Sequence, residues 1–438
     1  MTNLANEFRT IVLNLENRLK RKNPAESFDK VQFALNNLKL KIDANKVVLV
    51  SGNNGKGSVC ATLEALLRHA GKRVGVSLSP HLISVTERIR LNGKEVSRST
   101  FCQAHYELEK IFVDESFDFY EWITLLAVWI FFSGKYGEPV DYAVFEARQG
   151  GLWDVANPIP HKNCVITRLF QSNEKIDIKT LREIAKHQYG TITRNAKVVH
   201  LKAPDRWNPL LSAIKEKTKS KWAEVSDIDF EVFYRKREVT FSLISKWGQV
   251  ELVLAGPRGV ENTLLALQMF EELGFDPREH LEALKKVHFP CRMQRIDEYN
   301  EAQCPIFLSG DYTIQGIMSL VELLDYYPRK NLHILIGVNM DQEVDQILSP
   351  LFKIKDAHIY LTRSPRRSLP LRSYGKWHRK AVGAWASPKI ALDKIAKVAH
   401  REDMILVTGS LELVGRVKEF ITEKPQARKR DALRELSL

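Results

Sequence analysis

The chain has 438 residues, a formal net charge of +13 and a hydrophobic share of 44%. This length exceeds that of a typical single domain, so we expect two domains. The apolar share is sufficient for the core of a globular protein. No apolar run approaches the roughly 20 residues that span a bilayer, which argues against an integral membrane protein.

Five cysteines are widely spaced along the chain, at Cys60, Cys102, Cys164, Cys291 and Cys304. They form no Cys-x-x-Cys pair, so the sequence indicates neither a zinc site nor a disulfide framework. The N-terminal residues contain acidic side chains and lack an apolar signal segment. We therefore expect a cytoplasmic protein, and no feature of the sequence argues against a monomer.

The positive charge does not by itself indicate a nucleic-acid-binding protein. Basic residues are scattered and interleaved with acidic ones, even in the basic tail at 425–438. No groove-reading motif or basic-aromatic pattern accompanies them. We expect anionic small molecules as partners, and neither nucleic acid nor a membrane.

The predicted elements follow a regular order along the chain. Residues 1–45 have helical periodicity, and beyond them apolar strands alternate with helices. This order predicts an α/β fold with a P-loop-type, doubly wound and mostly parallel sheet. Strands are predicted at 46–51, 73–79, 141–147, 164–170 and 197–201, and a strand pair that turns at Asn92-Gly93 is predicted at 88–97.

The second half of the chain indicates another unit. Residues 227–254 alternate polar and apolar side chains, as in an antiparallel hairpin. Beyond about residue 290, apolar strands and helices alternate again, which predicts a smaller C-terminal α/β domain. We assign 1–285 to an ATP-binding domain, 286–424 to the C-terminal domain and 425–438 to the tail.

The most informative segment is KVVLVSGNNGKGSV at 46–59. A strand leads into a glycine-broken loop, whose N–H groups and following helix can cradle a phosphate. Lys56 can reach the β- and γ-phosphates, and the Ser58 hydroxyl can ligate Mg²⁺. The spacing differs from the standard Walker A motif, and an ordinary turn with a surface lysine is the alternative. The candidate nucleotide-binding residues are Gly52, Asn53, Asn54, Gly55, Lys56, Gly57 and Ser58.

A second candidate is Glu146, which ends an apolar segment, DYAVFEA. Ligands of α/β sheets bind at the carboxyl ends of the strands, so a carboxylate there is a candidate metal ligand. The alternative is a surface carboxylate at a strand end.

Seven segments, in chain order, resemble the folylpolyglutamate synthase and dihydrofolate synthase family, within the Mur ligase superfamily. They are GNNGKGS (52–58), LSPHL with ERIRLNG (78–93), FYEWITLLAVWIF (119–131), FEARQGGLWDVAN (145–157), GPRGVEN (256–262), FPCRMQRI (289–296) and VTGSLELVGRV (407–417). The resemblance covers nearly the whole chain. It implies ATP-dependent amide formation, in which a substrate carboxylate becomes an acyl phosphate that glutamate then attacks.

The resemblance also implies roles for individual residues. Lys56 would hold the nucleotide phosphates, and Ser58 and Glu146 would hold Mg²⁺. Asn262 would contact adenine, and Arg292 the phosphates. The catalytic set that we predict on this basis is Lys56, Glu146 and Arg292.

Three positions depart from the family pattern. Asn173 stands where the family has a metal-binding histidine, and it could coordinate Mg²⁺ through its carbonyl. Gln188 stands where the family has a lysine that is modified to a carbamate. The strand end that usually reads D-G-A-H-N-P has been replaced at 309–314, where Asp311 supplies a carboxylate that we assign to nucleotide binding.

Two functions are consistent with these residues. The first, which we favour, is a divergent ligase that uses ATP and Mg²⁺ to add glutamate to a folate-type acid. The alternative is a nucleotide-binding homologue with lost or altered ligase activity, acting as a regulatory or scaffold protein.

Overall fold

The computed structural model describes residues 2–148, 150–169, 178–235, 238–297, 299, 302–365 and 367–422. Asn173 and the basic tail at 425–438 lie outside these residues. Contacts among Cα atoms divide the chain into two units. The first comprises Met1–Phe233 and Thr240–Phe289, and the second comprises Tyr234–Val239 and Pro290–Leu438.

The first unit is built on a sheet with helices on both faces. Its helices are α1 (Thr2–Glu16), α2 (Pro24–Leu38), α3 (Lys56–His69), α4 (Arg98–Ile111), α5 (Phe119–Phe132), α6 (Ile178–Gln188), α7 (Asn208–Thr218) and α8 (Gly256–Glu272). Its sheet strands are β1 (Val47–Ser51), β2 (Val74–Ser77), β3 (Ile89–Leu91), β4 (Lys94–Glu95), β5 (Tyr142–Glu146), β6 (Asn163–Ile166), β7 (Lys197–Leu201) and β8 (Lys221–Val225).

The strand order of this sheet is β4-β3-β2-β5-β1-β6-β7-β8. Strands β2, β5, β1, β6, β7 and β8 pair in parallel. Strands β3 and β4 extend the sheet beyond β2 in antiparallel pairing. A separate antiparallel sheet contains β9 (Asp229–Arg235), β10 (Glu238–Ser245) and β11 (Gly248–Leu252). The prediction of a doubly wound, mostly parallel sheet and that of an antiparallel hairpin are both confirmed.

Strand β1 shows why helices cover both faces of the large sheet. Its five residues are buried, as expected for a central parallel strand rich in valine. Val47 and Leu49 belong to the hydrophobic core that includes α5, whereas Val48 and Val50 belong to the core that includes α3 and α8. Alternate side chains thus anchor opposite layers.

Helix α5 is the central element of the first of these cores. Its sequence, FYEWITLLAVWIFF, is apolar on all sides, as expected for a helix buried on all sides. Asp118 and Glu121 form a capping box that satisfies the first backbone N–H groups of this buried helix.

The second unit has its own sheet, with the order β12-β13-β17-β14-β15-β16. Its strands are β12 (Gln294–Ile296), β13 (Ile306–Leu308), β14 (Leu332–Ile336), β15 (Ala357–Thr362), β16 (Gly383–Trp385) and β17 (Met404–Thr408). Its helices are α9 (Ile314–Leu324), α10 (Val344–Leu351), α11 (Lys376–Lys380), α12 (Pro388–Val398) and α13 (Leu411–Thr422). Strand β12 is antiparallel and the others are parallel, so the predicted second α/β unit is confirmed. Among the described residues, no helix is both long and apolar enough to cross a membrane.

Candidate nucleotide and metal site

The loop between β1 and α3 has the geometry of a phosphate-binding loop. Gly52 and Gly55 have φ angles of 119° and 94°, which side chains with a Cβ rarely adopt. Gly55 is the N-cap of α3, and Lys56 is the first residue of that helix. The loop therefore directs the positive end of a long helix, with its unpaired N–H groups, toward whatever lies at the carboxyl edge of the sheet.

The Lys56 side chain curls back over this loop. Its ammonium donates hydrogen bonds to the carbonyl oxygens of Gly52, at 3.1 Å, and Asn53, at 2.8 Å. These bonds hold the charge at the loop, where it can neutralise phosphate oxygens. Asn54 and Gly57 lie in the same loop and first helical turn, so the structure brings all seven predicted residues together.

Two neighbouring side chains fix the path of the loop. A Cβ on Gly55 would overlap the side-chain amide of Asn262, and one on Gly52 would overlap the Thr167 hydroxyl. Asn262 is 8% exposed and belongs to α8. Asn262 therefore lies directly against the phosphate loop, which places it beside any nucleotide bound there.

Glu146 lies at the same edge of the sheet. It is the last residue of β5, and it pairs with Val50 of the neighbouring strand β1. Its Oε2 accepts a hydrogen bond of 2.8 Å from the backbone N–H of Ser79. Because β1 and β5 are adjacent parallel strands, the carboxylate and the phosphate loop follow neighbouring strand ends.

Sequence reasoning missed several polar residues around Glu146. The Arg88 guanidinium donates to Ser79 Oγ at 3.0 Å and to His81 Nδ1 at 2.7 Å, and this arginine is 6% exposed. Burial lowers the pKa of Arg88 to about 10, so the group remains charged at neutral pH. The resemblance of the LSPHL and ERIRLNG segments was the signal that could have identified them.

Gln188, one of the three departures from the family pattern, also reaches this edge. Its Oε1 lies 3.4 Å from the Ser51 hydroxyl, and a Cβ on Gly150 would overlap the same oxygen. Lys186 and His187 precede it at the end of α6. The Gln188 side chain is thus part of the site, as a neutral amide beside the phosphate loop.

The residues that fit a magnesium ion are few. Mg²⁺ is usually held by one or two carboxylates together with phosphate oxygens and water. Ser58 and Glu146 supply one hydroxyl and one carboxylate, which fits an ion that a nucleotide brings with it. The described residues contain no group of three or more His, Cys, Asp and Glu side chains that could hold a metal by themselves. The predicted ligand Asn173 lies outside the described residues.

A cavity of about 460 Å³ opens at the carboxyl ends of β6, β7 and β8. Its lining includes Thr167, His200 and Trp207. In the part of the chain that the structure describes, Thr167 Oγ1 and His200 Nδ1 are buried without a hydrogen-bond partner. The Thr167 N–H donates to the Ser51 carbonyl at 2.9 Å, so the cavity adjoins the phosphate loop.

The second unit contains the two remaining predicted residues, and they contact each other. A nitrogen of Arg292 lies 3.4 Å from Asp311 Oδ1, while the Ser309 hydroxyl donates to Asp311 Oδ2 at 2.6 Å. The Asp311 carbonyl accepts hydrogen bonds from Thr408 and Gly409 at the end of β17. The pair therefore lies at the carboxyl edge of the second sheet.

Sequence comparison finds relatives along most of the chain, although a scan against protein-family models finds no match. A dihydrofolate synthase/folylpolyglutamate synthase of Buchnera aphidicola is 26% identical over 385 residues, which cover 86% of this chain and 87% of the relative. A probable bifunctional folylpolyglutamate synthase/dihydropteroate synthase of Haloferax volcanii is 24% identical over 392 residues. The match covers 85% of this chain but only 45% of that longer protein.

Solved structures show the same fold. The folylpolyglutamate synthase of Thermotoga maritima is 27% identical, with a TM-score of 0.76 over 95% of this chain and 96% of that one. A bifunctional folylpolyglutamate synthase/dihydrofolate synthase of Yersinia pestis, solved with AMPPNP and a manganese ion, is 20% identical. Its TM-score is 0.77, over 95% of this chain and 98% of that one.

A phosphate loop and a strand-end carboxylate on a doubly wound sheet, followed by a second α/β unit, define a nucleotide-binding protein of the Mur ligase type. Within this class, the relatives and solved structures reported above are folylpolyglutamate and dihydrofolate synthases. Over most of its length the chain is similar to folylpolyglutamate and dihydrofolate synthases, which confirms the resemblance seen in the sequence.

Proposed function

We propose that this protein is an ATP-dependent ligase that joins glutamate to a folate-type acid through an amide bond. The relatives reported above are named as synthases of this kind. We assign glutamate and a folate-type acid to this chain as its substrates. One observation carries the proposal: the phosphate loop and the Glu146 carboxylate follow adjacent, in-register strands of one sheet.

In the proposed site, the loop from Gly52 to Ser58 holds the phosphates through backbone N–H groups, and Lys56 neutralises their charge. Asn262, packed against Gly55, contacts the adenosine part of the nucleotide. We also assign Arg292 and Asp311 of the second unit to nucleotide binding, because they form an ion pair at the carboxyl ends of the strands of the second sheet.

Ser58 and Glu146 would hold Mg²⁺, and Asn173 remains a proposed further ligand. When bound, the ion supplies Lewis acidity and neutralises charge on the phosphate oxygens. Glu146 is already oriented for this role, because the Ser79 N–H fixes one of its oxygens.

Positioning accounts for most of the proposed catalysis. A carboxylate oxygen of the acid forms a bond to the γ-phosphorus of ATP, and the bond from that phosphorus to the bridging oxygen breaks, releasing ADP with the electron pair. The uncharged amine of glutamate then forms a C–N bond at the acyl carbon. Phosphate leaves as the C–O bond breaks, and the nitrogen loses a proton to solvent.

We place the reaction in the cytoplasm and treat the protein as a monomer. The five cysteines are buried and unbridged, which is consistent with a reducing compartment.

The test is turnover with defined substrates. Purified protein is incubated with ATP, Mg²⁺, labelled glutamate and either dihydropteroate or tetrahydrofolate. We expect ADP, phosphate and a glutamylated product in equal amounts. Tight nucleotide binding without product from either acid would contradict the proposal and indicate the nucleotide-binding homologue instead.

A further inference from the structure

Arg148 lies in the proposed site, at the carboxyl end of β5. It follows β5 closely after Glu146, and its guanidinium carbon lies 3.5 Å from the centre of the Tyr120 ring. The side chain is half-buried. Among the described residues, no carboxylate pairs with this guanidinium, and the Tyr120 face is its partner.

A second guanidinium lies on the same aromatic surface. The Arg88 guanidinium carbon is 5.8 Å from the centre of the Tyr120 ring and 5.2 Å from that of Phe119. Arg88 is positioned by Ser79 and His81, so its orientation is fixed. Two cations therefore converge on one ring, where like charges repel unless an anion lies between or beside them.

Two carboxylates, Glu146 and Glu87, lie close enough to interact with the Arg88 charge, and Glu146 Oε2 accepts from the Ser79 N–H. Glu87, which is close to Arg88 in sequence, accepts hydrogen bonds from the backbone N–H groups of Leu82, Ile83 and Ser84. Arg148 itself has no carboxylate partner among the described residues, so its guanidinium can bind an anionic ligand.

The loop that carries Arg148 also contacts the phosphate loop. A Cβ on Gly150 would lie 3.1 Å from the Ser51 hydroxyl and 3.2 Å from the Gly52 carbonyl oxygen. An anion held by Arg148 would therefore lie close to the phosphates that the loop holds, within the first unit.

We propose that Arg148, together with Arg88, binds the carboxylate of the acid substrate and keeps it beside the γ-phosphate. This inference rests on the proposed function and deepens it, because it assigns the residue that selects an ionised acid. A guanidinium matches a carboxylate with two parallel N–H···O bonds, and stacking on Tyr120 preorganises Arg148 for them.

The same cation also bears on the first chemical step. As the carboxylate oxygen bonds to phosphorus, negative charge moves onto the phosphoryl oxygens and the departing ADP. Arg148 can stabilise that charge without exchanging a proton. Gln188 at the same edge of the sheet is a neutral amide, so it adds no charge for this purpose.

The test compares an acid with its uncharged ester. Binding of dihydropteroate and of its methyl ester is measured by calorimetry, with ADP and Mg²⁺ present, for the wild type, Arg148→Gln and Arg148→Lys. We expect Arg148→Gln to weaken binding of the acid about ten- to hundredfold, as for loss of hydrogen bonds to a charged group. Binding of the ester should not change, and Arg148→Lys should restore part of the difference.

Lys46→Gln is the matched control, because Lys46 lies over the face of Tyr142, 4.5 Å from the ring centre, before β1 at the opposite edge of the sheet. Equal loss of acid and ester binding in Arg148→Gln would overturn the inference, as would unchanged acid binding or a wild type that binds neither. Acid binding that depends on Arg148, without turnover in the wild type, would overturn the proposed ligase activity and leave this inference standing.

Discussion

At the scale of single residues, the charge of Lys56 is held at the loop by two carbonyl oxygens, Gly52 O and Asn53 O. A bound triphosphate would offer this ammonium stronger, charged acceptors. We expect Lys56→Ala to lower kcat/KM for ATP by about a hundredfold or more, by analogy with loss of a single transition-state donor.

The measurement for Lys56→Ala is the steady-state rate of ADP release in the presence of the acid and glutamate. Lys72→Ala, which removes a partly exposed lysine shortly after α3, is the control. If Lys56→Ala retained the wild-type rate, the phosphate loop would not be the nucleotide site.

Glu146 allows a test of the metal shell, because glutamine preserves the shape and the oxygen that the Ser79 N–H contacts. We expect Glu146→Gln to weaken Mg²⁺-dependent nucleotide affinity about tenfold or more, since it removes a charged oxygen ligand. Calorimetric titration of ADP with and without Mg²⁺ separates this effect from nucleotide binding itself. An equal loss in EDTA would point to a distorted loop and against a metal ligand.

The residues of the site were predictable to different extents. Glu146 could be predicted because an apolar strand precedes it, and a strand end is a local signal. Arg148 and Tyr120 come together only when β5 and α5 pack, and no local pattern encodes that contact. Gln188 was predicted only as a departure from the family pattern, and its contact with Ser51 depends on how α6 packs beside β1.

At the scale of elements, the turn into α3 depends on glycine for two separable reasons. Gly55 has a φ of 94° and also faces the Asn262 side chain, whereas Gly71 has a φ of 72° and open space around it. A Cβ in the left-handed region costs about 1–2 kcal/mol. We expect Gly71→Ala to lose about this much stability, and Gly55→Ala to lose more and to bind nucleotide poorly.

Urea denaturation gives the free energy of unfolding of both variants, and ADP titration gives their affinity. Equal destabilisation of the two variants, with ADP affinity preserved in Gly55→Ala, would show that Asn262 does not constrain the loop.

The elements that sequence analysis missed are those with weak patterns. Strand β8, KWAEV, lies at the edge of the sheet and only its last residue is buried, so it lacks the continuous apolar run of a central strand. Strand β16, Gly383–Trp385, is short and also lies at a sheet edge. The predicted strand at 164–170 ends at Ile166 in the structure. Central strands such as β1 were predictable because both of their faces are buried.

At the scale of the whole molecule, buried histidines link stability to pH. His200 is 5% exposed, and burial lowers the pKa of its imidazole below the usual 6.5. The unfolded chain takes up a proton near pH 6.5 that the folded chain excludes. The contribution of His200 to the free energy of unfolding should therefore be complete above pH 6.5 and should decrease as the pH falls below that value.

Thermal unfolding from pH 7.5 to pH 5.5 measures this dependence. We expect His200→Phe to flatten the slope, because phenylalanine fills a similar volume beside Trp222 and cannot be protonated. His378→Gln, at an exposed position, is the control. If His200→Phe kept the wild-type slope, His200 would not be among the groups responsible.

The five thiols have a practical consequence. All are buried, three in the first unit and two in the second. Burial raises the pKa of Cys164 to about 12, so this thiol should resist alkylation while the protein is folded. Each cysteine is thus a native label: the rate at which it reacts with iodoacetamide, read peptide by peptide in a mass spectrometer, would report the opening of its own surroundings without any engineered probe.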